Sequence, residues 1–233
     1  MQKILILGSS GQLGSALAKC LPVQQTILWK RPQYDFAQEK ELLAKLDLVS
    51  PSIIINAAAY TQVDQAEEDR ANCEQVNAEG PALLSSWCKV RRVPLVHFST
   101  DYVYSDTGSD PISESHETKP LNYYGETKLK GDQNIIESGC DHIIFRSSWI
   151  YDAVHKNFFT AILRKLFSDA EVRVVNDQVG SPTYAPHLAQ ATAGIVRNIL
   201  MGLSVGGIPF PSGIYHLCSS DYVSWHGFTE SIA

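Results

Sequence analysis

Lys3-Ile4-Leu5-Ile6-Leu7-Gly8-Ser9-Ser10-Gly11-Gln12-Leu13-Gly14 joins a short apolar run to a glycine-rich turn near the start of the chain. The run is continuous rather than alternating, so it reads as a β-strand buried on both faces. After the turn, Leu13, Ala16, Leu17, Cys20 and Leu21 recur at helical spacing until Pro22 stops them. Strand, glycine turn and helix in that order make a phosphate cradle. The glycines let an anion approach the backbone, and the helix N-terminus offers free N–H groups and partial positive charge. Gly8, Gly11 and Gly14, in the spacing GxxGxxG, are the candidates for that contact, against the alternative of a tight turn without a ligand.

The same rhythm continues outward from this unit. Strands are expected at 26–29, 52–56, 94–99 and 142–147, and helices at 39–48, 74–90 and 123–137. Such alternation specifies an α/β fold, a Rossmann-type doubly wound parallel sheet, over residues 1–150. From about Tyr151 the spacing loosens. A helix at 157–167, a strand at 171–176 and helices at 186–201 and 224–233 are expected in a smaller substrate lobe, residues 151–233. That lobe should pack on the carboxyl edge of the sheet, where open α/β sheets bind ligands. Its last helix presents Trp225, Phe228 and Ile232 on one face and runs to Ala233, so the lobe is expected to be incomplete at its C-terminal end. Residues 101–121, polar and carrying Gly108, Pro111 and Pro120, read as a long functional loop.

Composition narrows the class. With 233 residues, 44% hydrophobic and 19% charged, the chain is neither disordered nor a coiled coil. A net charge of −6 argues against an electrostatic nucleic-acid or membrane binder. No apolar run approaches the ~20 residues of a membrane span. Five cysteines, odd in number and without CxxC spacing, point to reduced thiols in the cytoplasm rather than disulfides or zinc. The seven histidines show no metal-ligand spacing, so no metal is expected. Asp64, Glu67, Glu68 and Asp69 read as a solvated helix face.

Two further motifs carry chemistry. In Tyr124-Gly125-Glu126-Thr127-Lys128 the first and last residues lie one turn apart on one helix face. A tyrosine is a poor acid or base at neutral pH until a nearby ammonium favours its phenolate. Tyr123 lies out of phase with Lys128. Composition alone supplies such a pair about half the time, so the motif needs company. Ser99-Thr100-Asp101-Tyr102 provides it, setting a hydroxyl where a strand ends at the carboxyl edge of the sheet.

Together these features resemble the short-chain dehydrogenase/reductase superfamily. GSSGQLG at 8–14, NAAAYTQVD at 56–64, FSTDYVY at 98–104, LNYYGETKLKG at 121–131, FRSSWIY at 145–151 and NDQVGSPT at 176–183 tighten it. That series is similar to the dTDP-4-dehydrorhamnose reductase family, along most of the chain. The resemblance implies reduction of the C4 keto group of a dTDP-linked deoxysugar, dTDP-4-dehydro-6-deoxy-L-mannose, the last step of dTDP-rhamnose biosynthesis. It implies Tyr124, Lys128 and Thr100 as the catalytic set, with Asn77 near the lysine. Gly11, Gln12 and Leu13 would line the pyrophosphate, Asp35 and Phe36 the adenine, and Ala59, Tyr60 and Thr61 the rest of the cofactor. The alanine run at 57–59 serves tight helix–sheet packing equally well. Asp101, Tyr102 and Trp149 would contact the sugar, with Val63 at the pocket wall, and Gln178, Gly180 and Thr183 would meet the nucleotide sugar from the second lobe, although Trp149 also reads as a core aromatic.

After the second strand stand Lys30 and Arg31, where NAD-binding chains carry an acid. A guanidinium suits a 2′-phosphate, so NADPH is expected, with NADH left open because Asp35 is close. Some family members bind magnesium through glutamates, but Ala185-Pro186-His187-Leu188-Ala189 carries no acid, so Mg2+ is not expected. A homodimer is left open. Rival readings are a sugar-nucleotide epimerase or dehydratase of the same superfamily, or a non-catalytic regulatory subunit resembling the methionine adenosyltransferase beta subunit.

Overall fold

A computed structural model describes residues 2–105, 110–168, 171–205 and 210–233. Gly108, in the expected loop, lies outside the described residues. The apolar run forms β1 (Ile4–Leu7), and the residues after the turn form α1 (Gln12–Cys20). Then follow β2 (Thr26–Trp29), α2 (Glu39–Val49), β3 (Ile53–Asn56), α3 (Arg70–Glu74), α4 (Gly80–Arg91) and β4 (Leu95–Thr100). A π-helical turn, Gln75–Glu79, joins α3 to α4. Next come α5 (Tyr123–Ser138), β5 (His142–Ser147), β6 (Ile150–Tyr151) and α6 (Phe158–Leu166). The chain continues through β7 (Val179–Gly180), β8 (Thr183–Tyr184), α7 (Ala185–Val205), β9 (Gly213–His216), β10 (Val223–Ser224) and α8 (Trp225–Ile232).

The main sheet has the order β2-β1-β3-β4-β5-β9 with every pairing parallel. Successive side chains of a strand point to opposite faces, so β1 feeds two cores. Ile4 and Ile6 pack with Leu13, Leu17 and α7 residues Leu188, Val196 and Ile199. Leu5 and Leu7 pack with Trp29, Leu42, Leu46, Leu84 and Trp87 on the other face. Because β2 lies to one side of β1 and β3 to the other, the winding reverses between β1 and β3. A crevice opens there at the carboxyl ends of the strands.

Two expectations change. The strand expected at 171–176 does not form. Among the described residues no strand pairs with that segment, and its Val175 carbonyl accepts from the His226 N–H at 3.1 Å, near the start of α8. The boundary expected near 150 does not follow the packing either. α7 covers one sheet face beside α1, and β9 is the sixth strand, so both belong to the first layer system. Four residues between loops were too few to announce β9. What remains apart is an aromatic cluster in which Tyr151, Phe158, Tyr184, Trp225 and Phe228 pack against one another. The β6–β8 and β7–β10 pairings accompany it. Among the described residues, no helix is long and apolar enough to cross a membrane.

Candidate active site

The crevice between β1 and β3 is a cleft of about 570 Å³. Its floor is built by close backbone approach. Gly8 has φ +78°, and a side chain there would stand 2.6 Å from the Ala58 nitrogen. At Gly14 a methyl would stand 2.1 Å from the Gly8 carbonyl oxygen, so α1 begins directly against the turn. Gly11 is the N-cap of α1 and supplies no side-chain cap, and the first turn holds no acid. The N-terminal charge of α1 is therefore unmet by the chain itself, which suits an anion.

Of the residues expected to hold a cofactor, Gly8, Gly11, Arg31, Asp35, Phe36, Ala59, Tyr60 and Thr61 line this cleft. The others stand differently. Gln12 accepts from Asn157 Nδ2 at 2.8 Å and ties α1 to the smaller lobe. Leu13 is buried in the core, Gly14 packs on Gly8, and Lys30 is exposed. Asn77 accepts from the Tyr60 N–H at 2.9 Å and donates to the Tyr60 carbonyl at 3.0 Å, so it clamps the loop beside the cleft. The π-helical turn is what aims it there. Ser10, Tyr34 and Asn72 also line the cleft. Nothing in the sequence marked them apart from proximity to the motifs.

The tyrosine, lysine and threonine come together as the helical phase requires. Thr100 ends β4 and caps a 3-10 turn at Asp101–Val103 through the Tyr102 N–H at 3.3 Å. Its hydroxyl donates to Asp101 Oδ1 at 3.1 Å and acts on the Tyr124 phenol. Tyr124 is buried, edge-on to Tyr102 with ring centroids 5.6 Å apart, and packs with Val63 and Tyr60. Tyr123 faces away, its ring under Arg70 and its hydroxyl on Glu74. Lys128 is 1% exposed and donates from Nζ to the Phe98 carbonyl at 2.6 Å.

Burial dominates the electrostatics here. It holds the Tyr124 phenol well above its ordinary range, with the Thr100 hydrogen bond opposing and Asp101 adding to the rise. The amino group of Lys128, one turn along α5 from Tyr124, is engaged on the Phe98 carbonyl of β4. Burial pushes Lys128 itself down to about 8, against the opposing charge of Asp132. Burial also raises the Asp101 carboxyl, opposed by hydrogen bonds from Ser148 and Thr100.

A second cleft of about 310 Å³ opens beside Asp101, between the sheet edge and the smaller lobe. Asp101 and Gly180 line it, together with Tyr104, Arg146, Ser148 and His216, which the sequence reading did not single out. Arg146 is buried and donates to Asp132 Oδ2 and to the Tyr104 hydroxyl at 3.1 Å and 2.7 Å. Other expected sugar contacts serve the lobe. Trp149, at φ +45°, stacks 3.5 Å from Trp225, and its indole fills the space over Gly180. The Gln178 carbonyl accepts from the Trp225 N–H at 3.2 Å. Thr183 is buried, with its hydroxyl donating to Ser181 and accepting from Ser219. Thr100 and Tyr124 line neither cleft themselves, but Tyr60 of the first packs in the Tyr124 cluster and Asp101 of the second accepts from Thr100.

The chain is similar to known proteins along its whole length. Residues 1–233 match the family model described as RmlD substrate binding domain. A dTDP-4-dehydrorhamnose reductase of Burkholderia thailandensis is 38% identical over 231 residues, which cover 99% of this chain and 77% of that protein. The enzyme of the same name from Escherichia coli K12 is 35% identical over 234 residues, covering 98% and 76%. The crystal structure of dTDP-4-dehydrorhamnose reductase from Bacillus anthracis in complex with NADP superposes with a TM-score of 0.88 at 30% identity. That match covers all of this chain and 80% of the other. A UDP-glucose 4-epimerase from Brucella ovis, 18% identical with a TM-score of 0.83, shares the fold alone. With the whole sequence matched and the reductase relatives covering nearly all of it, the chain belongs to the dTDP-4-dehydrorhamnose reductase family.

Proposed function

We propose that the chain reduces the C4 keto group of dTDP-4-dehydro-6-deoxy-L-mannose with NADPH, giving dTDP-L-rhamnose for polysaccharide biosynthesis. The observation that carries this reading is the buried Tyr124 beside Thr100, with Tyr60 of the first cleft packed in its cluster and Asp101 of the second bonded to Thr100, in a chain of that reductase family. The uncapped start of α1 supports dinucleotide binding, and Arg31 in the same cleft suits a 2′-phosphate. Gly8, Gly11, Arg31, Asp35, Phe36, Ala59, Tyr60 and Thr61 would hold the cofactor, with Gln12, Leu13, Gly14 and Asn77 shaping the cradle. Bound there, NADPH supplies the hydride that adds to the carbonyl carbon.

The chain's own residues manage the oxygen. Thr100 and Tyr124 donate hydrogen bonds to the carbonyl and orient it. As negative charge develops, the Tyr124 O–H bond breaks, a new O–H bond forms on the sugar, and phenolate remains. A phenol held high by burial keeps its proton until that moment, which is what a donor needs. Lys128, when charged, lowers the cost of the phenolate. Asp101 and Gly180 would meet the sugar nucleotide in the second cleft, under a lobe formed by 149–168, 171–184 and 217–233. Five free cysteines fit a reducing compartment, the cytoplasm.

The test is NADPH absorbance with the dTDP-keto-sugar supplied by coupled synthesis. Loss of absorbance together with formation of dTDP-rhamnose is expected. No turnover by a folded chain that binds NADPH would overturn the proposal.

A further inference from the structure

Behind the lysine runs a buried chain of polar groups. Lys128 Nζ lies 3.2 Å from His97 Nε2 as well as 2.6 Å from the Phe98 carbonyl oxygen. His97 Nδ1 lies 3.0 Å from Asn56 Nδ2, and Asn56 Oδ1 accepts from the Ala58 backbone N–H at 3.2 Å. Asn56 and His97 are fully buried.

The proton positions in this chain follow from its fixed end. A backbone N–H can only donate, so it selects the oxygen of the Asn56 amide. The amide nitrogen, also a donor, then faces His97, and His97 Nδ1 must accept. A neutral imidazole accepting at Nδ1 carries its proton on Nε2, which points at Lys128 Nζ. An ammonium has no lone pair to receive that proton, whereas a neutral amine does.

The opposite polarity fails. If the ammonium donated to Nε2, the ring proton on Nδ1 would oppose the Asn56 N–H. Flipping the amide would move that conflict to Ala58. Either way two donors face each other among buried groups, which is costly. Burial also holds His97 well below its ordinary range, against an imidazolium.

We infer that the Ala58–Asn56–His97 chain fixes His97 as the Nε2–H tautomer and makes it a positioning residue for Lys128, favouring the neutral amine in the cofactor-free protein. The inference deepens the proposed reaction and rests on reading Lys128 as the partner of Tyr124. Other groups act on Lys128 as well. Asp132 on its own helix and Cys73 from α3 favour the ammonium, and Arg146 from β5 pairs with Asp132. Tyr124 stands one turn before it on α5. His97 therefore opposes Asp132 at the same amino group and keeps its proton exchangeable near neutral pH.

The tautomer is read directly in the cofactor-free full chain labelled with 15N-histidine. A long-range 1H–15N spectrum shows which ring nitrogen bears the proton, with His97 assigned by its loss in His97→Gln. Protonated Nε2 and bare Nδ1 at neutral pH are expected, and an Nδ1–H ring or an imidazolium overturns the inference. The pH profile of kcat/KM gives a second readout. His97→Leu removes the ring N–H, so the alkaline limb set by Lys128 should rise by about one pH unit, the size of one hydrogen bond. His97→Gln can offer an oxygen to Asn56 and an N–H to Lys128, so it should leave the limb in place. An unmoved limb in His97→Leu, or an equal shift in both variants, overturns the role. Should His97→Leu fail to fold, the tautomer of the unaltered chain decides. A wild-type chain with no reductase activity would count against the proposed reaction, whereas the tautomer needs no substrate and judges His97 alone.

Discussion

Gly14→Ala tests whether α1 is seated as tightly on the turn as the backbone geometry requires. The added methyl would stand 2.1 Å from the Gly8 carbonyl oxygen and 2.8 Å from Ser9 Cα. Ordinary contact for such a carbon begins at 3.4 Å, so the helix would have to retreat by 3.4 − 2.1 = 1.3 Å. It has little freedom to do so, because Leu13, Ala16, Leu17 and Leu21 are packed into the core against the sheet and α7. Overpacking costs about 1–3 kcal/mol, and a carbonyl that cannot rotate away puts this site at the upper end. Alanine returns up to about 1 kcal/mol in helix propensity. The net loss of about 2 kcal/mol lowers Tm by about 4–8 °C in a chain of this size. Gly11→Ala is the counterpart. Its methyl meets nothing closer than 3.4 Å, and φ −80°, ψ 175° suits alanine, so Tm should barely move. It would nonetheless stand at the N-terminus of α1, where the cofactor phosphates are proposed to lie, and weaken NADPH about tenfold or more. Circular dichroism during heating and calorimetric titration measure the two effects. A Gly14→Ala chain as stable as wild type, or a Gly11→Ala chain that unfolds earlier, refutes the reasoning.

Tyr124→Phe keeps the ring packed on Tyr102 and deletes the proton donor, so kcat should fall about 10²–10⁴-fold with NADPH binding retained. Tyr123→Phe, whose hydroxyl meets only Glu74, should change little, and equal effects in steady-state assays would break the assignment. Arg146→Met strands the buried Asp132 carboxylate and should cost about 3–5 kcal/mol in urea unfolding. Arg146→Met/Asp132→Leu should recover most of that loss, and no recovery would mean that the pair is not the source of the cost. Arg31→Ala should weaken NADPH about tenfold and leave NADH nearly unchanged. A parallel loss for both cofactors in fluorescence titrations would remove Arg31 from the 2′-phosphate.

The sheet was legible wherever a strand is buried on both faces. Ile4–Leu7 and Ile53–Asn56 are continuous apolar runs because each must face two cores, and that demand writes itself into the sequence. α5 was equally plain, since Asn122 caps it at one end through the Gly125 N–H and Gly139 closes it at the other. Where one element depends on another, the signal failed. Val172, Val174 and Val175 have strand composition, but a strand needs an edge to pair with, and composition does not say whether an edge is free. β9 is the converse, four unremarkable residues made into a strand because β5 offers an open edge. The place of α7 was hidden for the same reason. Its apolar face was visible, but that α1 and the sheet would receive it was a property of the folded chain.

The site divides along the same line. Motif residues whose position follows from one element, such as Gly8 and Gly11 at a strand–helix turn or Tyr124 and Lys128 on one helix face, were found by periodicity and spacing. Residues whose role arises across elements were not. Asn77, expected only from the resemblance, sits in a π-helical turn and holds the backbone of Tyr60, seventeen residues earlier. His97 and Arg146 sit inside β4 and β5, where the apolar context invites reading each as a tolerated exception. Yet a polar side chain is held in a sheet interior only if its hydrogen bonds are met, so each one implies a partner on a neighbouring element. For His97 the partners are Asn56 on β3 and Lys128 on α5, and for Arg146 they are Asp132 on α5 and Tyr104 after β4. Both sets converge on α5, the helix that carries Tyr124. The same polar contacts that offset burial in the sheet therefore anchor the helix on which the proposed proton transfer depends.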